Sequence, residues 1–147
     1  MARAARFDLP AFGVFHVTAR GVAGCAIQTD ELDCRRFERF LRLATLRAGW
    51  RLLAYCLMTN HFHLVVLCER EAMSRGMHTL NGRHAQTFNT RHGRRGHLFQ
   101  ERFHARVVRD DEHLTTVCAY VLDNPVRAGI CPARELWPWS GGELYAV

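Results

Sequence analysis

The order of local signals along the chain predicts an α+β fold of the ferredoxin-like kind, a split β-α-β core with an antiparallel sheet and one further C-terminal helix. Three observations carry this reading. A β-rich segment near the start is followed by a long stretch with helical spacing of its apolar residues. Two apolar runs then adjoin across only a short turn, and a second helix and strand precede the last helix.

Taken in order, Phe12 to Gly21 ("FGVFHVTARG") is rich in β-formers and closes on a glycine. The segment from Thr29 to Gly49 reads as a helix. Phe37, Phe40, Leu41 and Ala44 recur on one face, acids come early, arginines come late, and Gly49 is a stop. "WRLLAYCLM" and "HFHLVVLCE" read as strands joined at Thr59-Asn60, most simply an antiparallel hairpin. A second helix is expected from about Ser74 to Arg91, with Met73, Met77, Leu80, His84 and Phe88 on one side. "RHGRRG" is a basic loop, and "HLFQERFHARVVR" a strand, bent or entered through an irregular piece. The last helix starts at Asp110-Asp111, good N-terminal residues. It buries Leu114, Val117, Cys118 and Val121 and ends at "NPVRAG", since the residue before a proline is pushed out of the helical region.

Length and composition bound the function. A chain of 147 residues, 48% hydrophobic, can build a core without disulfides, and no repeat or linker divides it, so one domain over 1–147 is expected. The six cysteines form no CxxC pair and read as free thiols. No apolar run approaches a membrane span and the first residues lack a secretory signal, so a cytoplasmic protein with no membrane partner is expected. The net charge is +6, and all 20 basic residues are arginine. Genome composition alone could produce that bias, yet a basic, arginine-only surface also favours a polyanionic partner, because the planar guanidinium matches phosphates and stacks on bases.

The chemistry concentrates in two places. Side chains alternate along a strand, so His61 and His63 share one face while Phe62 and Leu64 take the other. Two imidazoles so placed can chelate a divalent metal, but taken alone such a pair more often marks a half-exposed sheet face. In "YVLDNPVRAG", Tyr120 and Asn124 lie one helical turn apart, hence side by side at the border of the apolar stripe. Combined, two imidazoles and an amide oxygen could hold a metal with open positions for phosphodiester oxygens, beside a tyrosine able to attack phosphorus. No phosphate-cradling glycine loop is seen, and no nucleotide cofactor is needed. "HVT" (His16 to Thr18) matches one HxT element of two-histidine phosphoesterases; a second is absent, since Leu64-Val65 follow His63, so His16 is expected in the core or on an active-site floor. Phe99 and Trp139 could stack on bases or lie buried.

Across nearly its whole length the chain resembles the REP-associated tyrosine transposases, among the single-tyrosine HUH transposases of small bacterial insertion sequences. The residues that carry the resemblance are "FHVTARG", "GWRLLAYCLMTNHFHLVV", "SRGMHTLNGRHAQTFNTRHGRRGHLFQERFHA", "YVLDNPVRAGI" and "WPWSGGELY". It implies His61, His63 and Asn124 as metal ligands, Tyr120 as the nucleophile, and a tyrosine helix laid near the histidine face of the sheet. It also implies cutting and rejoining of single-stranded DNA at palindromic hairpins, with the enzyme left on a 5′ phosphate and a 3′ hydroxyl released. The alternative is a domesticated relative that binds or regulates at DNA hairpins without turnover. Mg2+ or Mn2+ is the expected cofactor; imidazoles suit Mn2+, while cellular supply favours Mg2+. Expected DNA contacts are Arg20, Arg83, Arg91, Arg94, Arg95, Arg102 and Arg106. Relatives differ in whether the tyrosine serves its own chain's histidines or a partner's, so a monomer or a homodimer is expected here. Three departures from the family pattern are Thr59 in place of a proline, Glu101 in place of a glycine, and the pair Gly141-Gly142 in the tail.

Overall fold

A computed structural model describes residues 8–100 and 102–145; Glu101 lies outside the described residues. The elements run β1 (Phe12–Arg20), α1 (Glu31–Ala48), β2 (Arg51–Leu57), β3 (His61–Glu69), α2 (Arg70–His92), β4 (His104–Val108), α3 (Asp111–Leu122), α4 (Asn124–Arg127) and β5 (Ser140–Gly141). The sheet order is β4-β1-β3-β2-β5 with every pairing antiparallel, which is the predicted ferredoxin-like order extended by one short strand.

Alternation along the strands makes two layers of core. Phe15, Val17 and Ala19 of β1 and Phe62, Leu64 and Val66 of β3 face α1 and α2, where they meet Phe37, Leu41, Met73, Met77 and Leu80. The opposite face packs Val65 and Cys56 against Val117, Cys118, Val121 and Leu122 of α3. A sheet covered on both sides explains why β2 and β3 read as almost unbroken apolar runs. Covering is incomplete at one end of the second face, and there His61 and His63 sit.

The helices begin and end for local reasons. Asp30 caps α1 by accepting from the Asp33 N–H, and Gly49 closes it in the left-handed region at φ 70°. Asp110 caps α3 through the His113 N–H. The second helix starts at Arg70, directly on the end of β3, rather than near Ser74. The strand-to-helix junction is held by tertiary contacts, the Arg70 N–H donating to the Ala11 carbonyl at 2.8 Å and its guanidinium to the Leu9 carbonyl at 2.8 Å. Gly76, within α2, is required by the Trp50 ring, which would lie 2.0 Å from an added Cβ.

Two further features depart from the sequence reading. Among the described residues of "HLFQERFHARVVR", His104–Val108 form the strand; ahead of it Phe99 forms an isolated bridge to Gly21. The last helix breaks at Asp123 (φ −89°, ψ 3°) and resumes as one turn, α4, with Pro125 in its first positions, where a missing N–H costs nothing. Beyond it the tail returns as β5 along β2. Gly142, at φ 115°, allows this: a Cβ there would stand 2.5 Å from the Leu53 carbonyl oxygen.

Candidate active site

The strand register brings the polar residues together. On the face turned to α3, Thr18 pairs with His63 and Arg20 with His61, while Cys56 flanks His63 from β2. His16 is one step further along β1 on that same face. Its Nε2 lies 3.0 Å from Nδ1 of His63, the rings stacked with centroids 5.2 Å apart. His61 holds its Nδ1 2.8 Å from Asn60 Oδ1 and its ring 5.1 Å from that of His63.

From the other layer, Asn124 puts its amide nitrogen 3.0 Å from Nε2 of His63. The expected continuous helix from Tyr120 to Asn124 is therefore two helical pieces, and the kink at Asp123 aims the amide at the imidazoles. Tyr120 is 49% exposed, with its ring 5.7 Å from His63 and 6.2 Å from His16, all within one chain. Arg127 lies 3.9 Å above the tyrosine ring and donates to the Tyr120 carbonyl at 2.6 Å.

Burial keeps the imidazoles neutral. It lowers His63 to about 3, helped by the fields of His16, His61, Arg127 and Arg20, and lowers His16 to about 4, helped by Arg106 and His113. His61 is lowered by burial and then by Arg20, against a raising contribution from Asn124. Neutral imidazoles carry the lone pairs that cations need.

These side chains are the right kind for a divalent cation. Two neutral imidazoles and an amide meet at one place, and the amide N–H now fills the lone pair of His63 Nε2. Turning the amide by half a rotation would offer its oxygen instead, so His61, His63 and Asn124 could hold Mg2+ or Mn2+. Among the described residues, no group of three or more His, Cys, Asp or Glu side chains could hold a metal ion. The six cysteines are free thiols.

The histidines and Tyr120 line a cleft of about 900 Å³, whose walls include Arg20, Arg102, Arg106 and Arg109. The expected arginines thus divide. Arg20, Arg102 and Arg106 border the cleft, whereas Arg83, Arg91, Arg94 and Arg95 belong to α2 and the loop after it, in the layer behind the sheet. Arg91 is bound there by Asp30 and by buried Asp33, and Arg94 by Asn89. Phe99 is buried against Phe62, and half-buried Trp139 packs on the core beside α1, away from the histidine cleft. Sequence reasoning passed over Arg109, Asn60 and Arg127. Arg127 sits in the quoted "NPVRAG", but only the kink at Asp123 reveals that it folds back onto Tyr120.

The fold and this site define a class. The structure of a REP-associated tyrosine transposase bound to a REP hairpin superposes with a TM-score of 0.75 at 17% identity, covering 95% of this chain and 82% of that one. A candidate transposase from Deinococcus radiodurans R1 superposes at 0.55 and 15% identity, covering 82% of this chain and 95% of that one. These likenesses show that the fold is that of the transposases. The family model described as "Transposase IS200 like" matches residues 20–124, and the chain belongs to that family. No curated protein matches the chain in sequence. Membership supports an enzymatic role on DNA. No described helix is long and apolar enough to cross a membrane.

Proposed function

We propose that this transposase cuts and rejoins single-stranded DNA at palindromic hairpins, using Tyr120 as nucleophile and a divalent Mg2+ or Mn2+ held by His61, His63 and Asn124. One observation carries the reading: an exposed tyrosine stands beside a convergent two-imidazole, one-amide cluster whose histidines line a basic cleft. The hairpin bound by the structurally similar REP-associated transposase supports the choice of substrate.

The chain's own groups supply most of the chemistry. Arg20, Arg102, Arg106 and Arg109 hold the strand by its phosphates. Arg127 lies against the Tyr120 ring and fixes its place at the kink. The Tyr120 oxygen forms a bond to phosphorus as its proton passes to water, and the bond from phosphorus to the 3′ oxygen breaks. That oxygen leaves with the electron pair and takes up a proton, so the products are a 5′-phosphotyrosine and a 3′ hydroxyl. Attack by a 3′ hydroxyl on the phosphotyrosine reverses each bond change and rejoins DNA. A bound cation would add Lewis-acid polarisation and orientation of the phosphodiester oxygens.

Incubating the protein with hairpin-bearing single strands and Mn2+, followed by a denaturing gel, tests this. The expected result is a covalent protein–DNA species that Tyr120→Phe abolishes. Tight hairpin binding without any adduct or cleavage would refute it in favour of a binding protein without turnover.

A further inference from the structure

His16 has no place in the reaction as drawn, yet its side chain contacts His63 from the neighbouring strand. Its Nε2 is 3.0 Å from His63 Nδ1, so one of these nitrogens donates and the other accepts. The far side of His63 decides which. Its Nε2 faces Nδ2 of Asn124 at 3.0 Å, and an amide nitrogen can only donate. His63 Nε2 is therefore the lone-pair nitrogen, the ring proton is on Nδ1, and Nδ1–H donates to His16. His61 follows the same pattern through a different partner, because its Nδ1 can only donate to the Asn60 Oδ1 at 2.8 Å.

We propose that His16 is a positioning residue, which accepts the Nδ1–H of His63 and so fixes the tautomer and ring plane that turn the Nε2 lone pair toward Asn124 and His61. Asn60 serves His61 in the same way. Ligating histidines are generally oriented by a hydrogen bond to their other nitrogen. Here one of the two orienting groups comes from the neighbouring strand. At 7% exposure His63 depends on the protein for that bond, and Thr18 and Cys56, its register partners, leave the position to the diagonal residue His16. The role toward a metal rests on the reading of His61, His63 and Asn124 given above; the tautomer does not.

The test uses the full chain with 15N-labelled histidine. Long-range 1H–15N spectra of the metal-free protein should show His63 protonated on Nδ1. In His16→Leu the His63 signals should move toward the Nε2–H form, and Mn2+ affinity, measured by spin resonance of the free ion, should fall roughly 10–100-fold. His16→Gln, which keeps an accepting oxygen, should retain the tautomer and hold Mn2+ affinity within roughly threefold of the parent. A parent protein protonated on His63 Nε2 overturns the proposal even if neither variant folds. So does a folded His16→Leu with unchanged tautomer and Mn2+ affinity. Parent protein that shows the Nδ1–H form but takes up no Mn2+ instead overturns the metal reading, and the positioning role falls with it.

Discussion

Arg91 and Arg20 carry the same charge on the same basic chain, and the structure gives them different surroundings, an ion-pair network for one and the cleft wall for the other. The Arg91 guanidinium reaches Asp33 at 2.7 Å and Asp30 at 2.6 Å, joining the end of α2 to the start of α1. The Asp33 side chain is 1% exposed, so Arg91→Ala removes a charged donor from a buried carboxylate, a loss of roughly 1–3 kcal/mol. His92 and Thr29 still donate to Asp33, at 2.9 Å each, which keeps the loss from the upper extreme. The half-exposed Asp30 pair adds at most about 1 kcal/mol. A net loss of about 1–3 kcal/mol lowers the melting temperature of a chain this size by about 3–10 °C. Calorimetric melting checks it, paired with single-strand binding measured across a salt series. Arg91→Ala should leave the salt slope unchanged, whereas Arg20→Ala should reduce it by about 0.7 for one lost phosphate contact. An Arg91→Ala protein that melts normally but loses that slope would refute the division of the arginines.

Other expectations follow from the same contacts. Phe62, fully buried with its ring 4.8 Å from that of Phe37, should cost about 3–5 kcal/mol on Phe62→Ala, read as a shifted urea midpoint; a loss under about 1 kcal/mol would contradict its core role. Gly142→Ala should release the tail, seen as lost amide protection at Glu143 and Leu144, whose N–H groups donate to the Leu52 and Leu53 carbonyls. Asp33 is held below the ordinary carboxylate value: burial pushes it up, and hydrogen bonds from Arg91, His92 and Thr29 outweigh that. Its contribution is complete above the unfolded value of about 3.9 and is lost as pH falls through the lower folded value. Acid melts of Asp33→Asn should therefore decline less steeply below about pH 4 than the parent. Arg127→Ala should slow adduct formation about tenfold, corresponding to about 1.4 kcal/mol of lost stacking and hydrogen bonding to Tyr120. A rate equal to the parent's would remove Arg127 from the site.

Much of the fold was legible because it rests on local patterns. Helical spacing marked α1, α2 and α3 with the residues they bury, among them Phe37, Met77, Leu80 and Val117. The hairpin of β2 and β3 followed from two apolar runs across a short turn. The strand of two residues at Ser140–Gly141 had no such signature, since its pairing depends on where β2 lies. The departure at Gly141-Gly142 is of the same kind: the glycines answer to the Tyr55 ring and the Leu53 and Ala54 backbone, which are far away in sequence.

The site divides along the same line. From residues alone came the alternation that puts His61 and His63 opposite Phe62, and the four-residue spacing that sets Asn124 near Tyr120. The first is a property of any strand, fixed by covalent geometry; the second supposes an unbroken helix, and the break at Asp123 sets the actual direction of the Asn124 amide. Only the tertiary structure decided that His16 meets His63, that Arg127 covers Tyr120, and that Arg91 is tied to two aspartates while Arg20 borders the cleft. Each of those contacts depends on strand order, register and a helix kink, so an arginine or histidine reads the same in the sequence whichever partner the fold supplies.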